Sequence, residues 1–161
     1  MSLDSRKFRD TVGYFATGVT IITTLDREGG PVGLTVNSFS SLSLDPPLVL
    51  FCLDRNVQSF EAFHANRHFA VNVLAEEQEE LSRRFALTGT KKWRGLAFDT
   101  WDTGCPILRG CIANIECGVE SIFEGGDHVV IVGGVVRMRQ EDGEARPLTF
   151  FRGNYGGISA G

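Results

Sequence analysis

The polar face of one short predicted strand, residues 31–37, carries side chains that suit recognition of a flat heterocycle. The residues of this face and the loop after it are Gly33, Thr35 and Asn37, followed by Ser38, Ser40 and Ser41. Glycine permits close approach, while hydroxyls and amides donate and accept hydrogen bonds, so the face can match the carbonyl and ring-nitrogen edges of such a ring. The alternating residues, including Val36, point to a core. A solvated strand face followed by a polar loop is the alternative.

A second segment could hold a phosphate. Asn56, Val57 and Gln58 lead into a helix predicted over Ser59–His64, and Arg55 precedes them. Ser59 is a suitable N-cap, and a helix N-terminus offers unpaired N–H groups to an anion. Ordinary helix capping is the alternative, because most helices begin with such residues.

His128 opens a predicted strand after the hairpin signal EGGD and could serve as a proton carrier, a metal ligand or a polar pocket wall. His64 and His68 are four residues apart, but the Asn66-Arg67 pair between them indicates a helix end, which disfavours a two-histidine zinc site. No G-x-S-x-G nucleophile motif or C-x-x-C pair is present. The four cysteines are expected to be free and buried: Cys52, Cys105, Cys111 and Cys117.

Composition limits the classes of partner. The chain has 161 residues and a formal net charge of −4. We therefore expect one domain over residues 1–161, and neither a nucleic-acid nor an anionic-membrane surface, because both need a basic face. The first residues lack the apolar core of a signal peptide and no segment reaches the length of a membrane span, so a cytoplasmic protein is expected.

The elements that must position these residues are mostly strands. The predicted strands are 19–25, 31–37, 48–53, 69–74, 113–123, 128–139 and 148–151. A first helix carries the apolar stripe Phe8, Val12 and Phe15 and stops near Gly18, a helix spans Glu76–Phe85, and residues 88–106 form a long loop. The fold class is therefore mainly β, an antiparallel barrel with short helices. No G-x-G-x-x-G or P-loop motif indicates a nucleotide-binding α/β fold.

Six segments in this order resemble the short-chain flavin reductase family, which includes the reductase components of two-component flavin-dependent monooxygenases. They are FATGVTIIT at 15–23, GLTVNSFSSLSLDPPLVL at 33–50, FCLDRNVQSF at 51–60, FAVNVLAEEQEELSRRFA at 69–86, CPILRGCIANIEC at 105–117 and EGGDHVVIVGGV at 124–135. The resemblance implies an FMN-binding split barrel of Greek-key type, acting as a homodimer. Together the six segments favour the functional interpretation of the motifs above.

The resemblance also implies roles for particular residues. Flavin would be contacted by Gly33, Thr35, Val36, Asn37, Ser38, Ser41, Cys52, Leu53, Asn56, Val57, Ser59, Arg84, Phe85, Ala86 and Tyr155. Within this set, Arg84, Phe85 and Ala86 would close over the phosphate end, and no metal is expected. His128 matches a histidine placed near the nicotinamide, and nothing is carried over to residues 91–102.

The implied reaction is hydride transfer from NADH or NADPH to FMN or FAD, with reduced flavin passing to a partner oxygenase. Such a transfer needs two flat rings stacked at roughly 3–3.5 Å and correctly oriented, with no nucleophile or strong acid. Two alternatives remain open. The flavin could stay bound and reduce another acceptor, a corrinoid such as cob(II)yrinic acid a,c-diamide or a ferric chelate, or the barrel could bind flavin without turnover.

Overall fold

Strands dominate the chain, as its β-branched and alternating segments predict. The computed structural model describes residues 3–159, apart from the side chain of Thr90. The strands are β1 (Thr17–Gly18), β2 (Thr20–Leu25), β3 (Pro31–Val36), β4 (Ser40–Leu44), β5 (Pro47–Asp54), β6 (His68–Val73), β7 (Phe98–Thr100), β8 (Pro106–Leu108), β9 (Ala113–Gly125), β10 (His128–Gln140), β11 (Thr149–Phe151) and β12 (Asn154–Gly156). The α-helices are α1 (Ser5–Val12), α2 (Phe60–Ala65) and α3 (Glu79–Ala86), and 3-10 turns span Glu76–Gln78 and Thr90–Trp93.

The main sheet has seven antiparallel strands in the order β3-β2-β6-β9-β10-β5-β4. A hydrogen-bonded bridge joins its two ends. The Ser38 hydroxyl, just after the edge strand β3, accepts from the Cys52 amide at 2.9 Å and donates to the Cys52 carbonyl at 3.1 Å. Because Cys52 lies on β5, next to the opposite edge, the sheet must curl around its contents. The predicted antiparallel barrel is therefore confirmed.

The inner face of the curled sheet packs a large apolar cluster that includes Phe51 and Phe69. Phe51 and Phe69 are at most 1% exposed and meet edge-to-face, with ring centroids 5.1 Å apart. The backbone of β10 approaches this pair at Gly133, where a Cβ atom would collide with the ring of Phe69. The segment 48–53 is apolar on both faces, which predicts a strand buried on both sides, but only Val49, Phe51 and Leu53 are buried and the alternate side chains of β5 are partly exposed.

The first helix forms but ends at Val12, five residues before β1, and it does not extend to Gly18. Its apolar stripe does not enter the core, because Phe8 and Val12 are 58% and 53% exposed and Phe15, beyond the helix, is 78% exposed. No residue of α1 is buried. The helical periodicity was correct, but an apolar stripe cannot by itself identify the surface that covers it.

Residues 88–106 are more ordered than the predicted long loop. They contain the 3-10 turn, β7 and the start of β8, and the Trp93 ring lies edge-to-face against Phe98 at 5.2 Å. Strand β7 pairs with β8 in a two-stranded sheet. Among the helices of residues 3–159, none is long and apolar enough to cross a membrane.

Candidate active site

A cleft of about 790 Å³ lies between the β2–β3 hairpin, α2 and the segment that follows α3. Its volume lies within the range of about 300–1,000 Å³ that small-molecule and cofactor sites occupy. Six of the residues predicted to contact flavin line it: Gly33, Thr35, Val57, Ser59, Phe85 and Ala86. Three separate stretches of sequence thus meet at one site.

Gly33 forms part of the cleft wall and is buried, so this part of β3 is not a solvated strand face. A Cβ atom at this position would lie 2.7 Å from Cε1 of Phe85 and 3.1 Å from Cζ2 of Trp93. Those two rings meet edge-to-face with centroids 5.0 Å apart. The predicted close approach at Gly33 is therefore made by the protein's own aromatic side chains, which the missing side chain allows to pack against β3.

Thr35 is held in place by α3. Its hydroxyl donates to the Ser82 carbonyl at 2.6 Å, and the buried Ser82 hydroxyl lies 2.8 Å from the Tyr155 hydroxyl. The Thr35 oxygen keeps its capacity to accept a hydrogen bond from a ligand. Tyr155 itself lines a separate cleft of about 460 Å³ beside β11 and β12. It therefore supports the main cleft through Ser82 and does not line it.

The bridge between Ser38 and Cys52 lies beyond the end of β3, outside the lining of the cleft. Both hydrogen bonds of the Ser38 hydroxyl go to the Cys52 backbone, which explains this serine as a structural link. Val36 and Leu53 are buried among core side chains, at 6% and 0% exposure. Only their backbone groups can reach a ligand. Two further predicted contacts, Asn37 and Ser41, are exposed near this bridge.

The segment before α2 is arranged differently from the predicted phosphate loop. Ser59 occupies the predicted N-cap position of α2, but its hydroxyl makes no capping hydrogen bond and its side chain lies on the cleft wall. The Asn56 amide group and backbone N–H both donate to Oδ1 of Asp54, at 3.1 and 2.8 Å. Arg55 forms an ion pair with Glu124 of the β9–β10 hairpin. Its charge is thus directed away from the cleft.

Two cations join α3 to the segment that follows it. Arg84 donates from its guanidinium to the carbonyls of Lys91, at 3.2 Å, and Arg94. In the opposite direction, Lys92 Nζ donates to the carbonyls of Phe85 at 3.0 Å and Gly33 at 3.3 Å. Burial lowers the pKa of Lys92. Lys92 and Trp93 both line the cleft, and sequence reasoning missed them because residues 88–106 show no periodicity that would place them.

His128 lies at the start of β10, opposite Asp54 in the sheet and outside the lining of the cleft. Its Nδ1 atom is 2.7 Å from Oδ1 of Asp127, and this hydrogen bond lowers the pKa of Asp127. The Arg55 N–H donates to the Asp127 carbonyl at 3.0 Å. The hairpin that carries His128 is therefore attached to the loop leading into α2.

The cleft is equipped to bind and orient a ring. Its inner wall consists of backbone, hydroxyl and aromatic groups, and the charged lining residues other than Lys92 are exposed. Of the cysteines, Cys111 and Cys117 lie fully buried elsewhere, and burial raises the pKa of their thiols to about 11 and about 12. Thiols held protonated in this way are poor nucleophiles. Within residues 3–159 no three side chains of His, Cys, Asp or Glu form a group that could hold a metal ion.

A family model described as the flavin reductase like domain matches residues 12–159. The chain belongs to this family. The reductase subunit HsaB of a flavin-dependent monooxygenase from Rhodococcus jostii is 47% identical over 157 residues, which cover 98% of this chain and 80% of that subunit. The NADH-dependent FMN reductase SmoA of Agrobacterium fabrum is 42% identical over 156 residues, covering 97% and 87% of the two chains.

The fold agrees with that of solved relatives. The crystal structure of nitrilotriacetate monooxygenase component B from Mycobacterium thermoresistibile matches with a TM-score of 0.92 at 44% identity, covering 97% of this chain and 87% of that one. The split-barrel fold, the flavin reductase family and the enzyme class are thereby confirmed. The roles of individual site residues stay predictions.

Proposed function

We propose that this flavin reductase takes a hydride from NADH or NADPH, reduces FMN or FAD in the cleft between β3, α2 and α3, and releases reduced flavin to a partner oxygenase. The cleft carries the proposal, because it joins three of the stretches that the resemblance assigns to flavin. Its volume and its wall of backbone, hydroxyl and aromatic groups fit a flavin. Similarity to the monooxygenase reductase subunit and to the FMN reductase supports the proposal.

The chain's own residues would bind the flavin, orient its ring and shield it from water. Flavin, when bound, supplies the ring that accepts electrons. The Thr35 hydroxyl, fixed by the Ser82 carbonyl, would accept a hydrogen bond from the ring, and the Ser59 hydroxyl would contact the polar chain attached to it. Phe85 and Trp93 close one wall against water. Orientation by a rigid wall is what hydride transfer needs, since a misplaced ring loses much of the rate.

His128 would position the nicotinamide. It is partly exposed, and its Nδ1 atom is engaged by Asp127, which leaves Nε2 directed elsewhere. The hairpin is attached to the loop before α2, so His128 and the cleft belong to one connected region. The imidazole of His128, held by its one contact with Asp127, suits a polar wall against the nicotinamide, a substrate that must leave after each turnover.

We further propose that the enzyme is a homodimer of the cytoplasm, with α1 and the residues after it forming the contact. Phe8, Val12, Tyr14 and Phe15 are each more than half exposed. An eight-residue helix that buries nothing is marginal alone, so a covering surface is needed to stabilise it. A second copy of this chain provides one with matching apolar character.

One assay tests the function: NADH oxidation measured under nitrogen and in air, with added FMN, FAD or riboflavin. We expect saturable dependence on added flavin, and loss of most yellow colour from the purified protein on dialysis. Turnover with a catalytic amount of retained flavin and one specific acceptor would instead support a corrinoid or ferric-chelate reductase. Absence of any NADH oxidation would identify a non-catalytic flavin-binding barrel.

A further inference from the structure

Lys92 is a cation of the cleft to which the resemblance assigns no role. Its ammonium group donates to two backbone carbonyls, those of Gly33 on β3 and Phe85 at the end of α3. An ammonium group has three donors, so one remains for a ligand. The side chain bridges the two elements that carry most of the predicted flavin contacts in the cleft.

The charge of Lys92 is not neutralised by the protein. Within residues 3–159 no carboxylate lies within 4 Å of its Nζ atom, and its two acceptors are neutral. The other charged residues that line the cleft are all exposed: Asp26, Arg27, Glu28 and Glu61. The Asp26 carboxylate already accepts the N–H groups of Glu28 and Gly30 in its own turn, at 2.9 and 2.7 Å. Lys92 is thus the half-buried ion of the cleft, and burial lowers its pKa.

A half-buried ammonium without a counter-ion is stabilised most by an anionic ligand, because a charge-assisted hydrogen bond then replaces lost hydration. We propose that Lys92 binds the phosphate of the flavin, the 5′-phosphate of FMN or the pyrophosphate of FAD. This inference rests on the proposed function and deepens it. Arg84, predicted to close over the phosphate end, instead uses its guanidinium to hold the Lys92 segment in place. The positive charge at that end therefore comes from Lys92.

The position of Lys92 favours the flavin over the nicotinamide as the source of the phosphate. Its hydrogen bonds anchor it to Gly33 and Phe85, which both line the cleft. His128, proposed to position the nicotinamide, lies outside that lining. The phosphates of NADH are the alternative source, and the experiment separates the two.

The test compares Lys92→Gln with Lys91→Gln, a matched control at the exposed neighbouring lysine. Dissociation constants for riboflavin, FMN and FAD are measured by quenching of flavin fluorescence, which needs no turnover. We expect Lys92→Gln to weaken FMN and FAD binding at least about tenfold and to leave riboflavin binding within about twofold, as loss of one charge-assisted hydrogen bond predicts. Lys91→Gln should match wild type with all three, and Lys92→Arg should keep the preference for FMN over riboflavin.

Other outcomes overturn the proposal. An equal loss for all three flavins would show that Lys92 contacts the shared ring or only ties the segment to β3, and not the phosphate. A raised KM for NADH with unchanged flavin affinity would assign the phosphate to the nicotinamide. A preference for FMN that Lys92→Arg fails to keep would argue against a role of charge. If the proposed function itself is wrong, wild type fails to reduce any flavin, which is a separate observation.

Discussion

Gly33 shows how one residue determines whether the cleft can form. The rings of Phe85 and Trp93 occupy the space that any side chain at position 33 would enter. We expect Gly33→Ala to destabilise the protein by about 1–3 kcal/mol, as overpacking does, and to weaken flavin binding because the wall moves. Gly18→Ala is the control, since no atom lies within 4 Å of a Cβ placed there. Urea unfolding measures both, and equal stabilities would contradict the packing explanation.

His128→Ala tests the positioning role of the histidine. We expect the KM for the nicotinamide to rise more than kcat falls, because a group that only holds the substrate contributes equally to the ground and transition states. Steady-state kinetics with saturating flavin gives both constants. His68→Ala, at an exposed histidine of β6, should leave them unchanged. A fall in kcat by orders of magnitude at constant KM would show a direct part in the chemistry.

For individual residues, the sequence predicted which strand positions carry polar side chains, but not which groups those side chains hydrogen-bond. Thr35 and Ser38 were predicted as ligand contacts, yet both hydroxyls are hydrogen-bonded to backbone groups distant in sequence. Lys92 was missed for the same reason, because its acceptors lie on two other elements. Tertiary contacts of this kind leave no periodic signal in a single chain.

Among the elements, the segment after α3 depends on the cations that hold it. Arg84 reaches the carbonyls of Lys91 and Arg94, so its removal should release them. We expect Arg84→Met to speed amide hydrogen exchange over residues 88–94 by about tenfold, the effect of losing charge-assisted hydrogen bonds. Arg83→Met removes an exposed pair with Glu79 on the same helix and should leave that exchange unchanged. Unaltered exchange in Arg84→Met would contradict the role of Arg84.

Element types were easier to predict than their surroundings. Long alternating runs predicted β9 and β10 within a few residues, and the glycine pair predicted the turn between them. By contrast, β7 has three residues, which is too short to show alternation, and within residues 3–159 it pairs only with the equally short β8. The α1 helix was predicted, but not its exposure, because an apolar stripe is the same whether the core or a second copy covers it.

For the whole molecule, the apolar surface around α1 predicts self-association. We expect wild type to sediment as a dimer, and Phe15→Glu to sediment as a monomer, because a carboxylate cannot be buried in an apolar contact without a partner. Phe15 is 78% exposed in the single chain, so its replacement should leave the fold intact. His64→Glu, which places the same charge at an exposed position of α2, is the control. A dimeric Phe15→Glu would place the contact elsewhere.

The buried thiols predict how stability changes in alkali. The pKa of Cys117 is raised from 9.0 to about 12 by burial, so the folded thiol stays protonated while the unfolded one ionises. The contribution of the Cys117 thiol to the free energy of unfolding is complete below pH 9 and is lost as the pH rises towards 12. At pH 10 the loss is about 1.4 kcal/mol for this thiol.

Urea unfolding at pH 7.5 and pH 10 measures that change. Cys117→Ala should lose less stability between the two pH values than wild type does. Val129→Ala, which removes a comparably buried apolar side chain, should keep the wild-type slope. An identical pH slope in Cys117→Ala and wild type would mean that the thiol does not contribute.

The aromatic ring that packs on Gly33 also constrains how the enzyme can be altered. Position 33 and position 85 share one volume, as do Gly133 and Phe69 in the barrel interior. In a randomised library selected for new flavin or nicotinamide analogues, a larger residue at 33 should therefore be recovered only together with a smaller one at 85. A library at position 33 alone should return mainly glycine, and a reshaped cleft wall should require paired changes at 33 and 85.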